Sequence, residues 1–490
     1  MRLALTFIAL LPLVAPAAAQ TASPLSLQVE TILAQAPKGA RFGVLVVDDA
    51  GQEILAIDPD QRFIPASNTK LFTTAAALDA MSDDAAAVEA RAATSLALVP
   101  AARGAPDVVL TGGGTALSTA NECVKRCLGG LLSGIAMKAR KVGNVIADDT
   151  AFADQRWSPG MSWNNIPTES GTAASAIVVD DNEVPLVVSP GTAGAPGVVA
   201  VTPYFTVRNE VQTIAEGQTR LAFDRAVGSR ELRVYGMIPV NAAPWRERLG
   251  IDDPAEFAGW LVREGLLARG VKVGGKVIVR HRPLQGLGVV SAPAKAPEPR
   301  LALAVMPAPL AEEVAVINKP SQNLRAEVLL RRLGLVADAK DPLGPVTGEP
   351  GSLESGVAAI NATLARAGIA RTAYDFSDGS GMSTYNRISP RAAVGLLTWA
   401  KGQAWAPVWR ASLPVGGIDG TLRRRFIGTP VAGKVWAKTG TLNATNALSG
   451  YLQAASGREL TFSILANDVP GDASAVPMID ALVVAIAAAN

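Results

Sequence analysis

Histidine is almost missing from this chain of 490 residues: His281 is the only one. A histidine-dependent triad would have to be built on it alone. It stands at the exit of an alternating stretch, VKVGGKVIVRHRP, with no serine motif beside it, and reads as a surface residue. A serine enzyme of this sequence is therefore expected to use another base. Cysteine is nearly as scarce, with only Cys123 and Cys127 in NECVKRCLGG. Two thiols without companion ligands make a poor zinc site, because structural zinc takes four. An oxidising compartment would permit a local disulfide, although four residues of helical separation bring the Cα atoms near the upper geometric limit. The alternative is two small buried side chains. Aromatic residues make up 5% of the chain, and 45 basic residues against 43 acidic ones leave a formal charge of +2. No dense Lys/Arg run is interleaved with aromatics, which argues against a nucleic-acid groove. Beyond the N-terminus, apolar stretches such as IDALVVAIAAAN are too short to span a bilayer and read as packed helix.

What is present begins with MRLALTFIALLPLVAPAAAQ. Arg2, a short apolar core and the small-residue ending Ala17-Ala18-Ala19 predict a cleaved secretory signal over 1–19, and a mature protein that is soluble in the periplasm or otherwise exported. No transmembrane anchor is expected. With 49% hydrophobic residues the remainder is long enough for two or three domains with real cores. FGVLVVDD and QEILAIDPD alternate around Asp49-Ala50-Gly51, a hairpin signal. A helix opens at Ser67, and TALSTANECVKRCLGGLLSGIAMKA is helical in pattern. Mainly strand-like segments follow the loop AFADQRWSPGMSWNNIPTES. Helices dominate from QNLRAEVLLRRLG onward, and GKVWAKTG, NALSGYLQAAS and RELTFSILAND close the chain as consecutive strands before a terminal helix. An opening hairpin and closing strands with helices between them predict one α+β domain sewn from both chain ends, its middle inserted after the Ser67 helix.

Three short motifs carry chemistry. In RFIPASNTKLFTTAAALDA, Ser67 and Lys70 lie three apart and so share a helical face. Taken alone, Ser67 could be an N-cap and Lys70 could snorkel to water. Ser-x-Asn occurs as Ser162-Trp163-Asn164 in a loop and as Ser321-Gln322-Asn323 at a helix start, and the helix start favours the second. Lys438-Thr439-Gly440 ends a strand pattern. In this order the three are the signature of penicillin-recognising serine enzymes. Their chemistry is coherent. Ser67 is a poor nucleophile until a base takes its proton, and Lys70 can serve if an apolar wall and the nearby Lys438 cation hold it neutral. Ser321 can relay the proton to the leaving amine and then help activate water. Asn323 can hold the substrate amide and steady Lys70. Lys438 and Thr439 suit a substrate carboxylate, and backbone N–H groups of Ser67 and Thr441 suit an oxyanion.

The stretches IPASNTKLFTTAAAL, VINKPSQNLRAEVLLRRLG, YDFSDGSGMSTYNRISP, VGGIDGTLRR and VWAKTGTLNATNALSGYL closely resemble the low-molecular-mass class C penicillin-binding proteins, the D-alanyl-D-alanine carboxypeptidase/endopeptidase family. The resemblance covers nearly all of the mature chain. It implies a serine hydrolase of peptidoglycan stem peptides that works through an acyl-enzyme, takes β-lactams as covalent inhibitors and needs neither metal nor organic cofactor. An esterase or β-lactamase-like hydrolase on the same scaffold, and a cell-wall-binding protein without turnover, are the alternatives. The resemblance carries the family's roles onto Ser67, Lys70, Ser321, Asn323, Lys438, Thr439, Gly440 and Thr441, and its glycine-rich segment onto Asp378-Gly379-Ser380-Gly381. It also implies a catalytic domain over 20–84 and 300–490, an inserted domain over 85–108 and 176–299, and a nested domain over 109–175. Some members bind a zwitterionic diaminopimelate end with an acidic residue and an arginine. The matching places here are Asn165 and Thr384, both neutral, with Arg387 or the loop near Glu169 as substitutes.

Overall fold

In RFGVLVV the side chains at Val44 and Val46 must face opposite to those at Leu45 and Val47, because a strand alternates faces at every residue. Both sets are apolar, so this strand has to be covered on two sides. The computed structural model describes residues 24–81, 91–120, 123–284, 301–337 and 348–490. In it, Arg41–Val47 is flanked by Glu53–Ile57 on one edge and by Glu459–Asn467 on the other, followed by Thr445–Gln453 and Val435–Leu442. All neighbours are antiparallel, with Arg41 opposite Asn467 and Val47 opposite Thr461. Both chain ends thus build one sheet. Val44 and Val46 pack under the helices Pro24–Leu33 and Val476–Ala489. The other face carries the larger core, centred on the fully buried helix residues Leu71, Phe72 and Ala75 with Leu329, Leu396 and Trp409. The expected signal over 1–19 lies outside the described residues.

A second five-stranded sheet runs Val277–Arg282, Val145–Ala153, Asp107–Thr111, Thr94–Val99, Leu301–Val305. The helices Leu128–Lys138 and Pro254–Leu267 share its core. This corrects the expected partition of the middle. Asp107–Thr111 crosses the 108/109 boundary without a break, and Val145–Ala153 lies between it and Val277–Arg282, parallel to both. Residues 109–111 and 145–153 therefore belong to the inserted sheet, and the helix Leu128–Lys138 packs in its core, rather than in a nested domain. The nested piece is instead 183–250: two three-stranded sheets around Leu186, Val188, Leu232 and Val234. Leu301–Val305 pairs with Thr94–Val99, so the chain returns to the catalytic core after that strand and not at residue 300.

Two local readings also change. The helix expected to run through the cysteines begins only at Leu128. Arg126 has φ +57°, a left-handed conformation that no helix can pass through, and the irregular turn brings Cys123 and Cys127 to a Cα separation of 5.7 Å, where they form a disulfide. His281 is not a free surface residue. It is half-buried, with Nδ1 3.0 Å from Asp149 Oδ1 and Nε2 3.2 Å from Asp253 Oδ2. Burial works against its protonation, but the two carboxylates prevail and hold its pKa above the ordinary value. Beside it, Arg156 donates to the Asp252 carbonyl at 2.9 Å and ties the loop at 154–171 to the inserted sheet. Among the described residues no helix is long and apolar enough to cross a membrane.

Candidate active site

The chain reaches Ser67 through a tight turn. Ala66 has φ +48°, and a 3-10 turn over Ala66–Asn68 leads into the helix Thr69–Met81. The turn is pinned to the sheet: Ile64 N donates to Asn467 Oδ1 at 2.7 Å, and Asn68 Nδ2 donates to Ser449 Oγ at 2.7 Å. On this helix Lys70 is fully buried, with its Nζ 2.8 Å from Ser67 Oγ, 2.8 Å from Asn323 Oδ1 and 2.6 Å from the Ser380 carbonyl. The N-cap and snorkelling readings fail here, because the amine points inward.

The three contacts define what the amine can do. Asn323 turns its Nδ2 toward the Ser170 carbonyl at 3.3 Å, so the atom facing Lys70 is the amide oxygen. That oxygen and the Ser380 carbonyl can only accept. A neutral amine spends its two N–H bonds on them, and its lone pair then faces Ser67, the one partner with a proton to give. Burial pushes the Lys70 pKa down to about 7, against the opposing pull of Asp378 and Glu327. Of the two causes the sequence suggested, an apolar wall and the Lys438 cation, burial is the one that lowers the Lys70 pKa here. Lys438 is itself fully buried and held well below the usual lysine range, first by burial and next by the Lys70 charge.

Ser321 precedes the helix Asn323–Ala337 with φ +69° and receives a hydrogen bond from Lys438 Nζ at 2.9 Å. Left-handed φ at two non-glycine residues, Ala66 and Ser321, costs about 1–3 kcal/mol each. Both sit where a catalytic group is aimed. Lys438 also reaches the Thr439 carbonyl at 3.0 Å, and Thr439 Oγ1 lies 2.7 Å from Thr421 Oγ1. The strand Val435–Leu442 runs so close to the nucleophile turn that a Cβ at Gly440 would meet the Pro65 carbonyl oxygen at 2.5 Å. Thr441, exposed on this strand, pairs with Asn446. Gly381 is tighter still. It has φ +88°, and a Cβ there would lie 1.9 Å from the Ala66 carbonyl oxygen.

The structure thus gathers these residues into two hydrogen-bonded groups, Ser67, Lys70 and Asn323 in one and Ser321 and Lys438 in the other, close enough for the two lysine charges to oppose each other. The other Ser-x-Asn, Ser162-Trp163-Asn164, lies on a separate exposed turn and supplies none of these contacts. Sequence reasoning missed the Ser380 carbonyl, which no side-chain pattern can announce. It also missed Glu327, although one helical turn from Asn323 is a position that spacing could have singled out. Of the specificity positions, Asn165 is half-buried, and Thr384 donates Oγ1 to the Gly160 carbonyl at 2.9 Å. Neither substitute is a free charge. Arg387 donates to the backbone carbonyls of Thr384 and Asn386, and Glu169 lies 3.8 Å from Arg248.

Residues 25–489 match the pattern of the D-Ala-D-Ala carboxypeptidase 3 (S13) family. A D-alanyl-D-alanine carboxypeptidase of Actinomadura sp. (strain R39) is 33% identical over 489 residues, 96% of this chain and 86% of that protein. The D-alanyl-D-alanine carboxypeptidase DacB of Haemophilus influenzae is 22% identical over 65% of this chain and 64% of its own length. The crystal structure of penicillin binding protein 4 (dacB) from the same organism superposes with a TM-score of 0.75, at 20% identity, over 93% of this chain and 97% of that one.

Two outcomes follow from the geometry. With Lys70 as the base for Ser67, acylation by a fluorescent penicillin should rise with pH and half-develop near pH 7, the value to which burial pushes the Lys70 pKa. A rate that is flat from pH 5 to 9 would remove Lys70 as the base. Gly381→Ala must displace either its own turn or the Ala66 carbonyl that leads into the nucleophile. Acylation should fall about 100-fold, the size of loss that a misplacement near 1 Å can cause. Stopped-flow labelling of the folded variant measures it.

Proposed function

The chain belongs to the D-Ala-D-Ala carboxypeptidase 3 (S13) family, and from that footing we propose that Ser67 cleaves the terminal D-Ala-D-Ala bond of peptidoglycan stem peptides through an acyl-enzyme. The protein is a penicillin-sensitive serine DD-carboxypeptidase of the cell wall. One observation carries the assignment of roles: the buried Lys70 amine meets Ser67 Oγ at 2.8 Å while two fixed acceptors occupy its N–H bonds.

Lys70 accepts the hydroxyl proton as Ser67 Oγ attacks the carbonyl of the penultimate D-alanine. The backbone N–H groups of Ser67 and Thr441 receive the developing oxyanion. Ser321, bridged to Lys438, delivers a proton to the amine of the departing D-alanine, whose carboxylate is held by Lys438 and Thr439. Asn323 takes the substrate amide, and Gly440 leaves room for the strand to pass the nucleophile turn. Water then enters along the path the leaving group vacated, is deprotonated through the same groups and releases the shortened peptide. A β-lactam follows the first half of this course, and its ring-opened acyl group remains on Ser67. Cross-link cleavage, the endopeptidase reaction, is the same attack on a bond whose leaving amine belongs to a neighbouring stem.

Muropeptide digestion tests the reading. Wild-type protein should release free D-alanine, and Ser67→Ala should release none and gain no penicillin adduct by intact mass. Adduct formation without D-alanine release would indicate a β-lactamase-like or esterase activity, or a wall-binding protein without turnover. An adduct on the folded Ala variant would mean that the nucleophile is misassigned.

We further infer that the protein works in the periplasm or another exported compartment, which the Arg2, apolar-core and Ala17-Ala18-Ala19 pattern supports. N-terminal sequencing of protein from its native host should find a start near Gln20. A chain still carrying Arg2 would contradict export with cleavage.

A further inference from the structure

Lys70 depends on a carbonyl, and a carbonyl can be aimed only by holding the turn that bears it. Three successive N–H groups of the glycine-rich turn are gripped by two carboxylates, the half-buried Glu327 and the fully buried Asp378. Gly379 N and Ser380 N donate to Glu327 Oε1 at 3.0 and 2.9 Å, and Gly381 N donates to Asp378 Oδ1 at 2.9 Å. In a trans peptide the N–H and C=O point in opposite directions. With Gly381 N–H fixed on Asp378, the Ser380 carbonyl is sent the other way, into the Lys70 amine. Asp378 is further held by Ser383 N at 2.6 Å and by Asn386 Nδ2. Glu327 is anchored by Arg331 Nη1 at 2.6 Å on its other oxygen. It lies four residues after Asn323, so one face of one helix supplies both acceptors of the amine, Asn323 directly and Ser380 through the turn.

We propose that Glu327 is a positioning residue for the base: by holding Gly379 N–H and Ser380 N–H it fixes the turn from which Asp378 aims the Ser380 carbonyl at Lys70, and its negative charge sets the pH range in which the amine is free to take the Ser67 proton. The inference rests on the acyl-enzyme reading above. The charged groups around the amine are few. From the Asn323–Ala337 helix come Glu327 and its partner Arg331, and from the glycine-rich turn Asp378. The Val435–Leu442 strand contributes Lys438. Arg156, from the loop at 154–171, lines a cavity of about 20 Å³ with Asn323, Glu327, Asp378 and Ser380, and is paired to Asp154 and Asp253. Glu327 and Asp378 both favour the charged amine. Glu327 also opposes ionisation of Asp378, whose carboxyl is raised to about 6 by burial and then by this neighbour.

Glu327→Gln separates the two roles, since an amide oxygen can still accept from Gly379 and Ser380 while the charge is gone. Acylation by fluorescent penicillin, followed from pH 5 to 9, should half-develop about one pH unit lower than in wild type. The high-pH plateau should stay within about tenfold of wild type. Glu327→Asp keeps the charge on a shorter arm, so it should restore the midpoint and lower the plateau. If the Gln variant does not fold, Glu327→Gln/Arg331→Met, which also removes the stranded guanidinium, carries the same expectation. A folded Gln variant whose midpoint is unmoved or higher, beside a normally labelled wild type, overturns the inference alone. A wild type that forms no adduct overturns the acyl-enzyme reading itself.

Discussion

The buried amine of Lys70 is the constraint that the rest of the molecule serves. An alkylammonium withdrawn from water loses solvation that only close acceptors can replace, and a neutral amine at that place becomes a base. Its three partners come from a turn at Ser67, a helix start at Asn323 and a loop at Ser380, more than 300 residues apart from first to last. None of these segments can hold the amine alone. The sheet, the helices against it and the close passages at Gly381 and Gly440 keep the three within hydrogen-bond distance of one nitrogen.

Two lysines with no solvent exposure share this centre, Lys70 on Ser67 and Lys438 on Ser321, and a second proton there would be opposed by burial and by its twin. Two charges at once are thus disfavoured at this centre. Ser321 is the hydroxyl that meets Lys438, and the strained φ at that residue is the local cost of placing it there.

The site was legible in the sequence to the extent that side chains spell it. Ser67, Lys70, Ser321, Asn323 and Lys438 stand in motifs whose spacing reflects a helical turn or a strand end. The sheet sewn from both ends was legible too, since an alternating hairpin opens the chain and three strand patterns close it. Contributions made by the backbone were not. The Ser380 carbonyl has no signature, and the role of Glu327 depends on a turn more than 50 residues away. The inserted region was misread for a related reason. Which strands become neighbours is set by pairing across long intervals, so nothing in VIADDTAFA itself says that it lies between 107–111 and 277–282. The cysteine segment failed locally: its apolar spacing resembles a helix, but left-handed Arg126 and the disulfide divide it.

The pairing of Arg41 with Asn467 has a consequence for how the molecule comes into being. This strand pairs early with Glu53–Ile57, but its other edge cannot gain its partner until more than 400 further residues have been made, so the contact order of the central sheet is high. Topologies of that kind fold slowly, because the entropy of closing the long loop is lost before the contacts reward it. Until the last segments arrive, Val44 and Val46 form part of an unpaired apolar edge, the kind of surface that invites aggregation. The inserted sheet and the two small sheets within it are complete by residue 305, well before the final strand. They can form first and shorten the effective loop, so that the emerging end closes over a folded spacer and not a free coil.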